Sequence, residues 1–292
     1  MTISESIEQN KDLLTIKRYP DTGLVLLKYK NKVFYEGLWN DFLRDCRGMV
    51  LDSDYNLVSY SFTKIHNFRV EADAPQWEDD VVVDAVRKVN GFMCALSVYK
   101  GQLIVSTTGS IDSPFAKLAR SHVTSELESF VIHEMDGMTA MFECCDPSDP
   151  HIVHEEPGLY FLGMRENVHG SKVSYNPEHG FWNNLGVKTL PVETKTIGEV
   201  MADLKVCKHE GFVVYHEDEN GAQISTKMKS PHYLTKKLFM RGNLDRLLNS
   251  DVKSKIAEEY YPLVDWIEAN RDDFSALDEM ARREFIEKFL GV

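Results

Sequence analysis

The chain has 292 residues, of which 43% are apolar and 27% charged, and its 33 Lys and Arg against 46 Asp and Glu give a formal charge of −13. These values fit an ordinary globular chain with room for a catalytic body and an appendage, and they exclude a disordered, collagen-like or rod-shaped coiled-coil protein. A chain this acidic does not coat nucleic acid or anionic membrane through its overall charge, so any such contact needs a local basic groove.

The opening stretch, MTISESIEQNKDLL, has no apolar core flanked by basic residues, so no signal peptide is expected, and no stretch has the apolar length of a membrane span. Leu24 to Lys30 and Lys32 to Tyr35 read as a hairpin about Asn31, followed by strands at Gly48 to Leu51 and Leu57 to Phe62. The largely apolar run Val81 to Val86 predicts a strand buried on both faces. Gly91 to Tyr99 and Gln102 to Thr107 flank Lys100-Gly101, a tight-turn signal, and a helix is expected over Phe115 to Phe130. Strands follow at Thr139 to Cys144 and Leu159 to Met164, then a helix at Ile197 to Lys205. Phe212 to Tyr215 pairs with Ala222 to Met228 across a polar turn.

From Pro231 the pattern becomes helical: Tyr233 to Leu248, Val252 to Tyr260, Leu263 to Arg271 and Ser275 to Leu290. In the last, Leu277, Met280, Ala281, Phe285, Phe289 and Leu290 make one apolar face, and Ser275 with Asp278 resembles a capping box. The expected architecture is an α+β body of antiparallel sheets over 1–240 and a small all-helical unit over 241–292. The cysteines Cys46, Cys94, Cys144, Cys145 and Cys207 include no C-x-x-C, which argues for reduced thiols in a cytosolic compartment.

No two glycines stand two apart and no G-x-x-x-x-G-K-[ST] occurs, so the dinucleotide and phosphate-loop motifs are missing. Nucleotide phosphates would have to be held by side chains. Lys88-Val-Asn-Gly91 follows the run ending at Val86, placing an amine at a sheet margin before a glycine that permits a turn or close approach. Alone, that pattern is as well explained by a solvated strand-end lysine. Glu143 sits mid-strand in apolar surroundings, where an edge-strand charge is the simpler account, and Glu210 stands just before a buried strand, where a loop charge would do. Alternation points Lys227 and Lys229 to one face, where two ammonium groups repel unless they share an anion such as a phosphate. From Lys227 to Arg241 there are five Lys and Arg and no acidic residue.

The order Lys-x-x-Gly, Phe-Glu, aromatic strand, Glu-Gly-Phe-Val-Val, Lys-x-Lys resembles the covalent nucleotidyltransferases, the superfamily of ATP-dependent polynucleotide ligases and capping enzymes. Arg44-Asp-Cys-Arg-Gly-Met-Val-Leu51, Ser61-Phe-Thr-Lys-Ile-His-Asn-Phe68 and Met138-Thr-Ala-Met-Phe-Glu143, running on to Pro147-Ser-Asp-Pro-His-Ile-Val153, are similar to the phage-type RNA ligases of the type-1 branch. The resemblance spans roughly residues 40 to 240 in consistent order. It departs at Asn90, where related enzymes usually carry Asp, and at Thr108, where a basic residue often precedes the Gly-Ser.

That resemblance implies an ATP-dependent RNA ligase working through lysyl-AMP and adenylylated RNA. Lys88 would be the nucleophile, with Lys227 and Lys229 assisting. Arg47 and Lys64 would hold the β- and γ-phosphates, Glu143 the ribose, Phe161 or a neighbour the adenine, and Glu210 a Mg²⁺ or Mn²⁺ ion. A free lysine, with pKa about 10.4, is protonated at neutral pH, so Lys88 is expected to have its pKa lowered. The implied partners are RNA ends, single-stranded or in broken loops such as those of tRNA, met by a monomer in the cytoplasm (the host's, for a phage protein) and on no membrane. RNA contact is expected near Lys227, Lys229, Lys236, Lys237 and Arg241, with a solvated helix face as the alternative for the last three. The competing readings are a DNA ligase, a capping-type nucleotidyltransferase, and a nucleotide- or RNA-binding module without catalysis.

Overall fold

A computed structural model describes residues 2–244, 248, 252–256 and 258–290. Its body is built from three sheets. The first has the order β1-β2-β3-β4, from Leu14–Tyr19, Leu24–Tyr29, Arg47–Leu51 and Leu57–Ser59. The second has the order β10-β9-β7-β8, where β7 is Phe92–Tyr99, β8 Gln102–Thr107, β9 Met138–Cys145 and β10 Gly158–Glu166. The third runs β11-β6-β12-β13-β5, with β5 His66–Asn67, β6 Val82–Lys88, β11 Val192–Thr196, β12 Gly211–Glu217 and β13 Gln223–Lys229. Every strand pairing is antiparallel except that of β13 with β5.

The β7–β8 hairpin forms about Lys100 and Gly101, whose positive φ angles of 52° and 71° match the right-handed twist of the strands they join. The expected hairpin about Asn31 does not form. Both edges of β2 are taken, by β1 and by β3, so Asn31–Tyr35 has no strand to pair with and closes into a short helix. The helix expected over Phe115 to Phe130 is two, Pro114–Ser121 and Ser125–Glu134, because the Thr124 hydroxyl accepts the Leu127 amide at 3.1 Å and starts a new one. In β6 the two-sided burial gives way to alternation. Val83 and Ala85 are in the core, Val82 is 55% exposed, and Asp84 accepts hydrogen bonds from Tyr175 and Thr194.

The helices from Pro231 onward share one apolar cluster centred on Phe239, Leu263, Phe274 and Ile286, which also takes in Ile152 of the body. Among the described residues the first of them, Pro231–Arg241, ends at Gly242, and the remainder of the expected helix to Leu248 lies largely outside the described residues. The segment from Ser275 is broken. Arg271–Ala276 ends before Leu277, and Asp278 itself caps Glu279–Leu290, its carboxylate accepting the Ala281 amide at 2.8 Å. That helix turns Ile286 and Arg283 inward and leaves Met280 and Phe289 exposed, so its buried face is rotated from the expected one. All five cysteines are free, and among the described residues no helix is long and apolar enough to cross a membrane.

Candidate nucleotide-binding and catalytic site

The second and third sheets enclose a cleft lined by Arg47, Phe62, Ile65, Lys88, Met93, Glu143, Leu162, Val213, Tyr215 and Lys227. The turn Val89-Asn90-Gly91 links β6 to β7 and so carries the chain from one wall to the other. A Cβ on Gly91 would collide with the Cys144 carbonyl oxygen, so only glycine lets the turn sit this close to β9. Gly211, at φ 137° against the Met228 carbonyl, does the same where β12 begins. Register then sets the reacting groups side by side, since Gly211 lies opposite both Lys88 and Lys229.

Glu210 is the hub. Its carboxylate, 3% exposed, accepts Lys88 Nζ at 2.8 Å and Asn90 Nδ2 at 2.8 Å, and pairs with Lys229 Nζ at 3.2 Å. Burial would raise its pKa, but Lys88 and Lys229 outweigh burial and hold it below the usual carboxylate range. Asn90 is bound at both ends of its amide, for its Oδ1 accepts the Val153 amide at 2.9 Å. A neutral residue suits that place, because an Asp there would face Glu210 with a like charge and no proton to donate. Glu143 accepts the Gly91 amide at 3.0 Å through Oε1, and burial pushes its carboxyl up.

The expected lowering of the Lys88 pKa is not found. Burial would lower it, but Glu143 and Glu210 outweigh burial and hold the ammonium above its ordinary value. Burial lowers Lys229, and it brings Lys227 to about 7 together with the charges of Lys64, Arg47 and Lys229. Arg47 and Lys227 share a further property: the buried Nε of Arg47 has no hydrogen-bond partner, and Lys227 has no ion-pair partner among the described residues. Two basic groups without an anion of their own, in a cleft lined also by the apolar Phe62, Ile65, Met93, Leu162 and Val213, suit a nucleotide with its phosphates toward Arg47 and Lys227.

Other expected residues stand differently. Lys64 is buried and already paired, its Nζ 2.9 Å from Glu71, which also binds His66 and Asn67 and whose carboxyl falls to about 2. Burial lowers the Lys64 ammonium despite that partner. Phe161 does not face the cleft: it stacks on Trp182 with centroids 4.3 Å apart in the core of the second sheet. Leu162, next along β10, takes the cleft side, which strand alternation from Phe161 could have shown. Of the three basic residues of the helix Pro231–Arg241, Lys237 and Arg241 are exposed and Lys236 is not. Lys236 is buried at 3.0 Å from Glu287, and Arg241 pairs with Glu279, both partners lying on the helix Glu279–Leu290. Val213 and Tyr215 lie on the cleft face of β12 and were legible from the same alternation, since Phe212 and Val214 fill the core.

No curated protein sequence matches the chain. Solved structures of similar fold include two of an archaeal ATP-dependent RNA ligase. Form 1 has a TM-score of 0.58 at 16% identity over 94% of this chain and 70% of that one. Form 2 has 0.56 at 16%, over 80% of this chain and 63% of that one, so the chain spans somewhat under two thirds of its length. A putative ATP-dependent DNA ligase from Aquifex aeolicus is similar at 0.57 and 15% identity, over 99% of this chain and 76% of that one. At such identities these likenesses establish the fold. The sequence profile of the RNA ligase family matches residues 45–238, about two thirds of the chain and the stretch that carries the whole cleft, and the protein therefore belongs to the RNA ligase family.

Proposed function

We propose that this protein is an ATP-dependent RNA ligase that joins 3′-hydroxyl and 5′-phosphate RNA ends. The observation that carries the reading is the pairing of Lys88 with Glu210 in a cleft whose Arg47 and Lys227 have no anion of their own.

In the first step the neutral Lys88 amine forms a bond to the α-phosphorus of ATP as the bond to the β-phosphate oxygen breaks, and pyrophosphate leaves on the opposite side. An oxygen of the RNA 5′-phosphate then attacks the lysyl-AMP phosphorus and releases the amine. Finally the 3′-hydroxyl attacks the 5′-phosphorus and AMP departs. Arg47 and Lys227 neutralise the phosphate charge, and Glu143 is placed for the ribose. A Mg²⁺ or Mn²⁺ ion would be held by Glu210 beside Glu143 together with phosphate oxygens, a donor set typical of Mg²⁺, and would supply charge neutralisation. No cluster of three or more ligating side chains exists among the described residues, which fits an ion completed by substrate rather than a closed protein cage. An ion there would offset Glu143 and Glu210, the two carboxylates that hold Lys88 protonated in the free protein, and so would favour its neutral amine.

The same reading assigns adenylyl transfer to 1–240, a separate helical unit to 241–292, and a cytoplasmic monomer acting on single-stranded ends or broken tRNA loops. The test is incubation with ATP labelled at the α-phosphate, followed by denaturing electrophoresis and peptide mapping. A label on Lys88 is expected. A protein that binds ATP without a covalent adduct would be a binding module, and an adduct formed only with GTP would be a capping-type enzyme.

A further inference from the structure

The short helix Asn31–Tyr35 leaves its aromatic end in solvent: Phe34 is 45% exposed, Tyr35 79%, and Leu38 just beyond it 38%. Apolar side chains scattered singly on a surface are unremarkable, but this group is contiguous, with the two rings 5.5 Å apart at 76°. Basic charge precedes it in the chain. From Lys28 to Tyr35 there are three lysines and no acidic residue. Lys32 has only Glu36, at 3.8 Å with both side chains mostly exposed, and Lys28 stands directly across from Arg47 in the β2–β3 register. Like charges opposed across a ladder repel, and an anion between them removes the cost.

The group adjoins the nucleotide cleft. Lys64 Nζ lies 5.6 Å from the Phe34 ring centroid and 5.5 Å from that of Trp39, and Lys64 is among the charges that lower Lys227. The direction of the chemistry matters here. Pyrophosphate leaves opposite Lys88, toward Arg47. In the second step Lys88 is itself the leaving group, so the RNA oxygen has to attack from the side that pyrophosphate vacated. The RNA 5′-end therefore arrives past Arg47, whose charge also bears on Lys64, the ammonium beside the Phe34 ring. The basic stretch after β13 offers less, because Lys236 and Arg241 already hold Glu287 and Glu279.

We propose that Phe34 and Tyr35 form a stacking platform for the unpaired bases next to the 5′-phosphate of a single-stranded RNA end. Aromatic faces beside lysines are the common solution for holding single strands without reading their sequence. The inference rests on the ligase reading for its geometry, and the experiment separates the two.

Binding of a short 5′-phosphorylated single-stranded RNA, labelled at its 3′ end, is measured by fluorescence anisotropy on the full chain, alongside AMP-adduct formation. Tyr35→Ala is expected to weaken RNA binding about tenfold, the scale of one lost stack, to leave adduct formation within twofold, and to be rescued by Tyr35→Trp. In sealing assays the KM for the 5′-phosphate strand should rise by a similar factor while that for the 3′-hydroxyl strand holds. Unchanged RNA affinity in Tyr35→Ala overturns the proposal. So does an equal loss of adduct formation, which would make the residue structural, or a dimer that Tyr35→Ala dissociates, which would assign the patch to a second copy. If the wild type binds RNA through Tyr35 yet forms no adduct, the platform stands and the ligase reading fails.

Discussion

Two adjoining basic stretches, the end of β13 and the helix Pro231–Arg241, look alike in sequence and differ in what holds their charges. In the strand, Lys227 has no ion-pair partner among the described residues and its pKa is lowered to about 7, while Lys229 leans on Glu210. In the helix, Lys236 is buried against Glu287, and Arg241 is tied to Glu279. The strand's unpaired cation is available to a ligand anion. In the helix Lys236 and Arg241 are already used, fastening Glu279–Leu290 to the body, and Lys237 is left exposed. What decides the role of a basic residue is therefore its partner, and partners 51 and 38 residues ahead in sequence are invisible to a count of local charge.

The sharpest break of the comparison would come at Lys88. Lys88→Ala should abolish the AMP adduct and sealing of an ordinary 5′-phosphate, while leaving Lys229 on Glu210. An adduct that survives would move the nucleophile elsewhere. Next, Lys227→Ala should slow adduct formation by about 10²–10³, the usual loss for one preorganised charge at a reacting phosphate or oxyanion. A loss under tenfold would make Lys227 no different from the helix lysines.

Arg47→Ala should hurt adduct formation more than sealing of a pre-adenylylated strand, because the β- and γ-phosphates take part only in the first step. Lys64→Ala should show the same asymmetry more weakly, since Lys64 is already neutralised by Glu71. Equal losses in the two assays would assign both to scaffold or RNA contact. At the small end, Lys236→Met should keep adduct formation within a few-fold and lower stability by about 1–3 kcal/mol, measured by urea unfolding. Glu287 retains Arg283 at 3.1 Å and some hydration, so the cost stays below that of stranding a fully buried charge. A Lys236→Met protein of full stability but no adenylation would invert the comparison.

Much of this was legible before the fold was known. The cleft residues Lys88, Glu143, Glu210, Lys227 and Arg47 come from well-separated segments whose order and spacing resemble a family, and the sheets bring them to one place. Less legible were features fixed by pairing and by electrostatic balance. The helix at Asn31–Tyr35 forms because β2 is already paired on both sides, a fact about β1 and β3 rather than about residues 31–35. Phe161 and Leu162 differ by one step of a strand, so a preference for an aromatic ring selects the residue that faces the core. The sign of the Lys88 shift depends on two carboxylates from β9 and the start of β12, which no spacing along the chain can weigh against burial.

The unpaired state of Lys227 can be read directly from protons. Its pKa of about 7 lies below the ordinary lysine value, so in the free protein it is largely neutral at pH 8 while the unfolded chain is still protonated there. Folding therefore loses stability on this account below about pH 7, where the buried ammonium must be charged, and the cost fades as pH rises from 7 toward the ordinary lysine range. Binding of phosphates should restore the charge. Calorimetry with the α,β-methylene analogue of ATP at pH 8, in buffers of differing ionisation enthalpy, measures the protons taken up on binding without turnover. Uptake approaching one proton is expected for the wild type and for Lys236→Met, and near none for Lys227→Met. Equal uptake in all three proteins would contradict the assignment of Lys227 as the free cation of the nucleotide site.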